Sequence, residues 1–209
     1  NDELTGSPVR EPGETIGSYG ISQGTLSAGP NYDLAVVGSS YFTITKSPIT
    51  IRAVANQRKM YGMEDPVLKY SIVEGTMMKE DKLTGAPDRM PGENVGEYAI
   101  TQGTIAANEN YEIRFIRDHF EITPAPITVK ADAQRKVYNE PDIMPLTYKI
   151  TAGKMMGNEQ LRGQLTREAG ESVGKYEIKQ GSLSAGDNYQ LTFIPDVFEI
   201  IQKPLNKQP

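Results

Sequence analysis

The 209-residue chain carries 22 basic and 27 acidic side chains, a formal net charge of −5, and 37% hydrophobic against 23% charged residues. This composition is typical of small folded modules, and its net negative field disfavours nucleic acid as a partner. The absence of cysteine excludes disulfides, thiolate metal sites and a cysteine nucleophile. Since no apolar run approaches ~18 residues, we expect no membrane insertion in this fragment, with any anchor or export signal outside it.

A glycine-rich stretch near the start of the chain returns twice. "GETIGSYGISQGTLSAGPNY" begins at Gly13, and close relatives begin at Gly92 and Gly170, at a spacing of about 78 residues. Over 24 positions from the recurring glycine, the second and third copies agree at 12 and the first and third at 14. Duplication explains this agreement, so the chain is a set of tandem repeats.

Strand patterns dominate the second and third copies. Apolar and polar side chains alternate around Ile49, Ile51 and Ala53, around Leu68, Tyr70 and Ile72, around Tyr111, Ile113 and Phe115, around Leu146, Tyr148 and Ile150, and around Tyr189, Leu191 and Phe193. Further strands are predicted within 95–104 and 120–123. Only 75–85 and 153–163 could hold a helical turn or two. The sequence therefore predicts a mostly β (α+β) fold, in which a sheet with one buried face is closed by a short helix.

The repeats also define a domain organisation. We predict the C-terminal half of a first module at residues 1–48, complete modules at 49–126 and 127–204, and a tail at 205–209. A half module exposes a sheet edge and part of its core. We therefore expect residues 1–48 to be completed by another chain, to pack on the second module, or to be the cut end of a longer array.

The joints between modules are short and contain proline. "FTITKSPIT", "FEITPAPIT" and "FEIIQKPLN" lead one strand almost directly into the next module, with roughly three linker residues. Because proline fixes φ and favours extended chain, consecutive modules should abut in a fixed orientation. Compact-domain scaling then predicts a rod about 75 to 90 Å long.

The recurring residues are predicted to be structural. Glycines are placed at tight reversals that require positive φ, and tyrosines anchor the core with their hydroxyl tied to a backbone group. Asparagines suit an αL conformation or an Asx turn, and glutamates either pair with the arginine four residues earlier or accept hydrogen bonds from turn amides. These structural repeat positions are Gly13, Glu14, Tyr19, Asn31, Gly92, Glu93, Tyr98, Asn110, Gly170, Glu171, Tyr176 and Asn188.

Catalytic, cofactor and metal sites are not predicted. His119 is the only histidine and is interpreted as an exposed strand-edge or loop residue. Asp81 and Glu159 are interpreted as turn-capping or solvated residues, since the ordered ladder of a calcium loop is missing. The methionine pairs at 77–78 and 155–156 are predicted to pack in the core or at a module interface. The residues of any ligand site are left open.

The ordered motifs resemble a known family. "KMYGMEDPVLKYSI" from Lys59, "DKLTG", "PGENVGEYAITQGT", "NYEIRF" and "FEITPAPIT" together resemble the MBG repeat (YGX type) of bacterial surface adhesins, which is related to mucin-binding modules. The Tyr-Gly pair of that repeat corresponds to Tyr61–Gly62 in the second copy and to Tyr138–Asn139 in the third. Asparagine is the next best residue for positive φ, so the departure is mild.

The resemblance implies a fold, a location and a role. It implies tandem β-grasp-like modules in an elongated array at the extracellular bacterial surface, with Ig-like β-sandwich repeats as the alternative fold. It also implies a non-enzymatic adhesin array that acts as a stalk or spacer, with host glycan or surface protein as the partner to expect. The alternative function is a glycan-binding accessory module of a larger secreted enzyme, which the absence of tryptophan disfavours.

Overall fold

The computed structural model describes residues 3–38 and 40–205 of the chain, and its regular structure there consists of strands. The seventeen strands are β1 (Val9–Arg10), β2 (Gly17–Ser22), β3 (Tyr41–Ile44), β4 (Ser47–Ala53), β5 (Gln57–Met60), β6 (Tyr70–Glu74), β7 (Asp88–Arg89), β8 (Gly96–Thr101), β9 (Tyr111–Ile116), β10 (Asp118–Thr123), β11 (Ala125–Ala131), β12 (Gln134–Val137), β13 (Tyr148–Ala152), β14 (Thr166–Arg167), β15 (Gly174–Lys179), β16 (Tyr189–Ile194) and β17 (Asp196–Ile201). The mostly β prediction is confirmed. No segment within the described ranges is a helix of the length and hydrophobicity that a bilayer crossing requires.

The helical turns predicted within 75–85 and 153–163 are wrong, because these described segments contain no helix. Each holds a single tight turn instead, in which the Asp81 amide donates to Met78 O at 3.0 Å and the Glu159 amide to Met156 O at 3.0 Å. A glycine with positive φ stands at both ends of each segment.

Two compact units make up the chain. Unit 2 comprises Asn56–Val67, Pro91–Tyr98 and His119–Pro209, and it contains a four-stranded sheet of order β12-β17-β15-β14 and a three-stranded sheet of order β13-β11-β16. β12 runs parallel to β17 and β11 parallel to β16, while the other pairs in these sheets are antiparallel. A further parallel pair joins β5 to β10 in the same unit.

The core of unit 2 collects apolar side chains from both sheets. Its fully buried members alternate along the strands, as a half-buried pleated surface requires. They are Val129 and Ala131 from β11, Ile178 from β15, and Phe198 and Ile200 from β17, supplemented by the loop residues Leu146, Leu165 and Leu183. Burial of one such large side chain contributes about 2 kcal/mol to stability, so the paired sheets hold each other in place.

Unit 1 comprises Asn1–Ala55, Leu68–Met90 and Ala99–Asp118. Its sheet of order β6-β4-β9 repeats the β13-β11-β16 arrangement, with β4 parallel to β9 and antiparallel to β6. Ile49, Ile51, Ile105 and Tyr111 form the buried core beside it. β7 pairs antiparallel with the end of β8.

A second sheet in unit 1, of order β1-β2-β3, comes from the first copy and is antiparallel throughout. Phe42 faces Tyr19 across this sheet in the same register that Phe198 faces Tyr176 in unit 2. Phe42 is nevertheless 47% exposed, whereas Phe198 is 0% exposed. The first copy therefore keeps the antiparallel pairing of β14, β15 and β17 without the burial.

The compact units do not follow the sequence period. Of the strands in 49–126, β4, β6 and β9 lie in unit 1 and β5 lies in unit 2. The module limits at 48, 126 and 204 stay predictions, and residues 206–209 of the predicted tail lie outside the described part of the chain. One residue, Pro124, separates β10 from β11. The choice between a β-grasp-like and an Ig-like fold also stays a prediction.

Candidate functional site

A cluster of four charged side chains ties the glycine-rich turn of the third copy to the sheet. Lys136 Nζ lies 2.6 Å from Asp142 Oδ1 and also pairs with Glu171. Arg167 Nε lies 2.7 Å from Asp142 Oδ2, and its Nη2 lies 2.7 Å from Glu171 Oε1. Two cations and two anions thus neutralise each other, as charges taken out of water must.

Burial and hydrogen bonding set the ionisation of this cluster. The side chains of Lys136 and Arg167 are only 3% and 9% exposed. Hydrogen bonds from Arg167 lower the pKa of Asp142 to about 2 against the opposing effect of burial, with Lys136 adding to the decrease. Hydrogen bonds with Asp142 and Glu171 raise the pKa of Lys136. All four groups are therefore charged at neutral pH.

Parts of the cluster recur in the other copies. In unit 2, Lys59 of the second copy lies 2.6 Å from Asp65 and also pairs with Glu93, and burial opposes its charge while these two partners raise its pKa. In unit 1, Arg10 pairs with Glu14. The arginines also cover aromatic rings: Arg10 lies over Tyr19 and Phe42, and Arg167 over Tyr176 and Phe198, at 4.9 to 5.4 Å from the ring centroids.

The recurring glycine and tyrosine pack against each other. Gly13, Gly92 and Gly170 have φ between 148° and 153°, and a Cβ atom on any of them would overlap the ring of the tyrosine six residues later. The three tyrosines are half-buried, and each hydroxyl donates to the backbone carbonyl four residues earlier, at 2.7 to 2.8 Å. Glycine recurs because both its φ and its missing side chain are needed here.

The recurring asparagines do not adopt the αL conformation, since the described non-glycine residues with positive φ are Asn56 and Asn139. Asn110 Oδ1 instead accepts the Ile16 amide at 3.0 Å in unit 1, and Asn188 Oδ1 accepts the Val95 amide at 2.9 Å in unit 2. Each asparagine therefore reaches the glycine-rich turn of the preceding copy. Asn31 lies exposed in a turn of unit 1.

A second contact in unit 2 joins the Tyr-Gly turn of the second copy to the third copy. The Tyr61 hydroxyl donates to Glu159 Oε1 at 2.9 Å, and the Tyr189 hydroxyl donates to the other oxygen of that carboxylate. The two rings meet edge to face, with centroids 5.4 Å apart and planes at 77°. This geometry is favourable for aromatic pairs. The phenols lower the pKa of Glu159, and Glu159 raises the pKa of Tyr61.

Gly62 fits against a methionine of the third copy. Its φ is 76°, and a Cβ atom there would lie 2.6 to 2.8 Å from the Met156 side-chain atoms Cε, Sδ and Cγ. Met155, Met156 and Tyr61 all pack on the buried cluster of Ala125, Ile127 and Tyr189. Met155 and Met156 thus pack as the sequence analysis predicted for this pair. We call the surface formed by Met156, Glu159 and Tyr189 the turn-docking site.

The equivalent residues in the second copy are Met78, Asp81 and Tyr111. Tyr111 donates to Asp81 Oδ2 at 2.6 Å and accepts the Met78 amide at 2.8 Å, as Tyr189 does with Glu159 and with the Met156 amide. Asp81 Oδ1 also accepts from Asn108 Nδ2 at 2.7 Å. Asp81 and Glu159, predicted as turn-capping or solvated residues, are therefore tyrosine acceptors, and Glu159 is also exposed. Met77 packs on the core, whereas Met78 is 74% exposed.

Beside the turn-docking site lies an open cleft of about 790 Å³. Its rim is polar and includes Asn158, Gln160, Arg162 and Asp187. Its aromatic residue is Tyr189, which is 8% exposed. The cleft therefore offers hydrogen-bonding groups but almost no aromatic face on which a sugar ring could stack.

The single histidine of the chain lies on a strand. His119 is exposed on β10. Within residues 3–38 and 40–205, no group of three or more histidine, aspartate or glutamate side chains is placed to hold a metal ion.

Sequence reasoning missed the buried lysines and the docking of Tyr61. The signal for the lysines was present, because Lys59 and Lys136 occupy inward positions of the strands "QRKM" and "QRKV". A cation at an inward strand position requires anionic partners within reach. The docking of Tyr61 brings together residues 98 apart, and periodicity does not reveal such a contact.

Comparison with known proteins gave one result. The family model described as the MBG domain (YGX type) matches residues 49–121 and 127–199. Searches of curated proteins and of solved structures found no match.

Proposed function

Because the chain belongs to the MBG domain family (YGX type), we propose that it is a non-enzymatic repeat array of an extracellular bacterial surface adhesin. Its role in that setting is to hold a distal binding region away from the cell. Family membership supports the class of protein and the location. The contacts of the recurring residues support the spacer role.

The observation that carries this proposal is the side-chain contact between the second and third copies within unit 2. Tyr61 and Gly62 of one copy pack on Tyr189, Glu159 and Met156 of the next. A flexible tether would have no need of such contacts, whereas a spacer that transmits force does. The recurring glycines, tyrosines and charged groups are likewise engaged in packing or ion pairs, so their recurrence needs no reacting substrate to explain it.

Glycan binding receives weaker support. The cleft beside the turn-docking site has a volume typical of ligand sites. Its aromatic residue is buried, however, and carbohydrate sites favour exposed aromatic faces. We therefore place adhesion by this chain itself second to the spacer role.

Small-angle X-ray scattering of the purified chain tests the proposal. A spacer should give a maximum dimension of about 75 Å or more, as end-to-end packing of compact modules requires. Tyr61→Ala should broaden the distribution of interatomic distances, because the joint loses its ring contact. A maximum dimension near 55 Å, the size of a single compact body of this length, would contradict the spacer role. A glycan array run in parallel detects binding by the cleft, and Arg162→Ala is the variant to compare.

A further inference from the structure

The thioether of Met156 supports the Tyr61–Gly62 turn in unit 2. Its Sδ, Cε and Cγ atoms lie 2.6 to 2.8 Å from the position that a Cβ atom on residue 62 would take. The Gly62 backbone therefore rests on the sulfur end of this side chain. Met156 also packs on the buried cluster that contains Tyr189. The sulfur thus lies at the point where the second copy meets the third.

A small oxidant can reach this sulfur. Met156 is half-buried, so the turn shields its side chain without sealing it in the core. Methionine thioethers are converted by oxidants to sulfoxides, which are polar and bulkier at sulfur. Whenever the turn lifts briefly from the turn-docking site, the sulfur becomes more accessible, and oxidation at that moment traps the lifted state.

We propose that Met156 is an oxidation site through which a peroxide releases the Tyr61–Gly62 turn from the turn-docking site. A lone pair of Sδ attacks one peroxide oxygen, the O–O bond breaks, and an S–O bond forms. With hydrogen peroxide, the proton of the transferred oxygen passes to the leaving hydroxide, which departs as water. The thioether loses two electrons and the peroxide gains two, so the reaction balances without a further reactant. The same chemistry applies wherever the protein is located, since the contacts all lie within unit 2.

The new oxygen is incompatible with the packed turn. It requires space that the Gly62 backbone occupies, and as a polar atom it requires a hydrogen-bond donor. The hydroxyls of Tyr61 and Tyr189 already donate to Glu159. The sulfoxide must therefore draw a phenol away from Glu159 or swing out to water, and the contact with Gly62 is lost in either case.

The release should be confined to the turn. The parallel pairing of β5 with β10 runs as far as Met60 and Thr123, and Met156 takes no part in it. The Met63 amide lies beyond that pairing and donates to Met60 O at 3.1 Å within the turn. This amide therefore reports on the turn, whereas the β5 amides report on the sheet beneath it.

Hydrogen exchange of the full chain, measured by NMR before and after treatment with hydrogen peroxide, tests the proposal. The Met63 amide should exchange at least about tenfold faster once Met156 is oxidised, while the β5 amides keep their rates. Peptide mapping follows sulfoxide formation at each methionine. The change at the Met63 amide should keep pace with oxidation of Met156 and not with that of Met63 or Met144, which are 53% and 60% exposed. Treatment with both methionine sulfoxide reductases should restore slow exchange.

Two variants sharpen the test. Met156→Leu keeps the volume of the side chain but cannot form a sulfoxide, so peroxide should leave its Met63 amide unchanged. Met144→Leu, at an exposed methionine of the same unit, is the matched control and should respond like the unmodified chain. Circular dichroism checks that each variant is folded, and the time course in the unmodified chain decides the question if Met156→Leu is not.

Four results would overturn the inference. Met156 could be fully oxidised with the Met63 amide unchanged, or it could stay a thioether while Met63 and Met144 are fully oxidised. Met156→Leu could respond to peroxide as strongly as the unmodified chain. The β5 amides could accelerate as much as the Met63 amide, which would mean general unfolding and not release of the turn.

Discussion

Replacing Asp142 by asparagine tests the charge cluster most directly. Asp142 accepts from Arg167 at 2.7 and 3.0 Å and pairs with Lys136 at 2.6 Å, and its side chain is 27% exposed. Its pKa of about 2 lies below the ordinary value of 3.8. At about 1.4 kcal/mol for each tenfold change in proton affinity, that difference corresponds to roughly 2 kcal/mol of folding free energy.

The sign of the pH dependence follows from the lowered pKa. Stability from Asp142 is fully present above its unfolded pKa and is lost as the pH falls from about 4 to 2, where the folded carboxylate takes up a proton. Asp142→Asn should therefore be less stable than the unmodified chain by about 2 kcal/mol at pH 6. The difference between the two proteins should shrink towards zero near pH 2.

Urea unfolding followed by circular dichroism at several pH values measures this difference. Hydrogen exchange of the β15 and β17 amides assigns the loss to unit 2. Asp196→Asn is a suitable control, because Asp196 belongs to a longer pair of 3.4 Å with the half-exposed Lys130 and should give a smaller loss. A difference between Asp142→Asn and the unmodified chain that does not change with pH would refute the reasoning.

Three further outcomes follow from the same structure. Gly170→Ala should lower the free energy of unfolding by at least about 2 kcal/mol, because the new Cβ atom overlaps Tyr176 in a strained backbone region. Gly174→Ala, whose nearest neighbour atom is at 4.0 Å, should lower it by less than about 1 kcal/mol. Chemical denaturation compares the two variants, and equal losses would contradict the packing argument. Asn188→Ala should speed hydrogen exchange at the Val95 amide and leave the Ile16 amide unchanged, and Asn110→Ala should do the reverse. A change at both amides in either variant would mean that the asparagine bonds do not protect each amide separately. Glu159 raises the pKa of Tyr61, so Tyr61→Phe should remove one phenol that ionises above the ordinary pH range in an ultraviolet titration. If the phenol that disappears instead ionises in the ordinary range, the hydrogen bond to Glu159 is not formed in solution.

The fold class could be predicted from sequence because strand periodicity is local. The alternation of Ile49, Ile51 and Ala53 placed three side chains that are all 0% exposed in unit 1. The helix expected within 75–85 failed because the polar groups there are satisfied by a distant side chain, the Tyr111 hydroxyl, and not by helical bonds. A pattern confined to the segment carries no information about that partner.

The candidate site was harder to predict for the same reason. The Arg-Glu spacing of four residues indicated the pair of Arg167 with Glu171, which lies within one turn. Asp142 and Lys136 come from a different part of the repeat, 25 residues or more from the turn that they hold. Recurrence marked Glu171 and the arginine before it, but only the folded chain shows that Lys136 and Asp142 meet them.

The two forms of the Tyr-Gly pair show how one position can meet one structural demand or two. Gly62 satisfies two demands, a φ of 76° and a close approach to Met156. Asn139 satisfies the first demand, with a φ of 67°, and the residue is exposed. Positive φ admits asparagine, whereas a side chain at position 62 would also require the flexible Met156 side chain, 2.6 to 2.8 Å from the Cβ position, to move aside. Gly62 therefore serves both the φ and the close approach to Met156, whereas the φ accounts for Asn139.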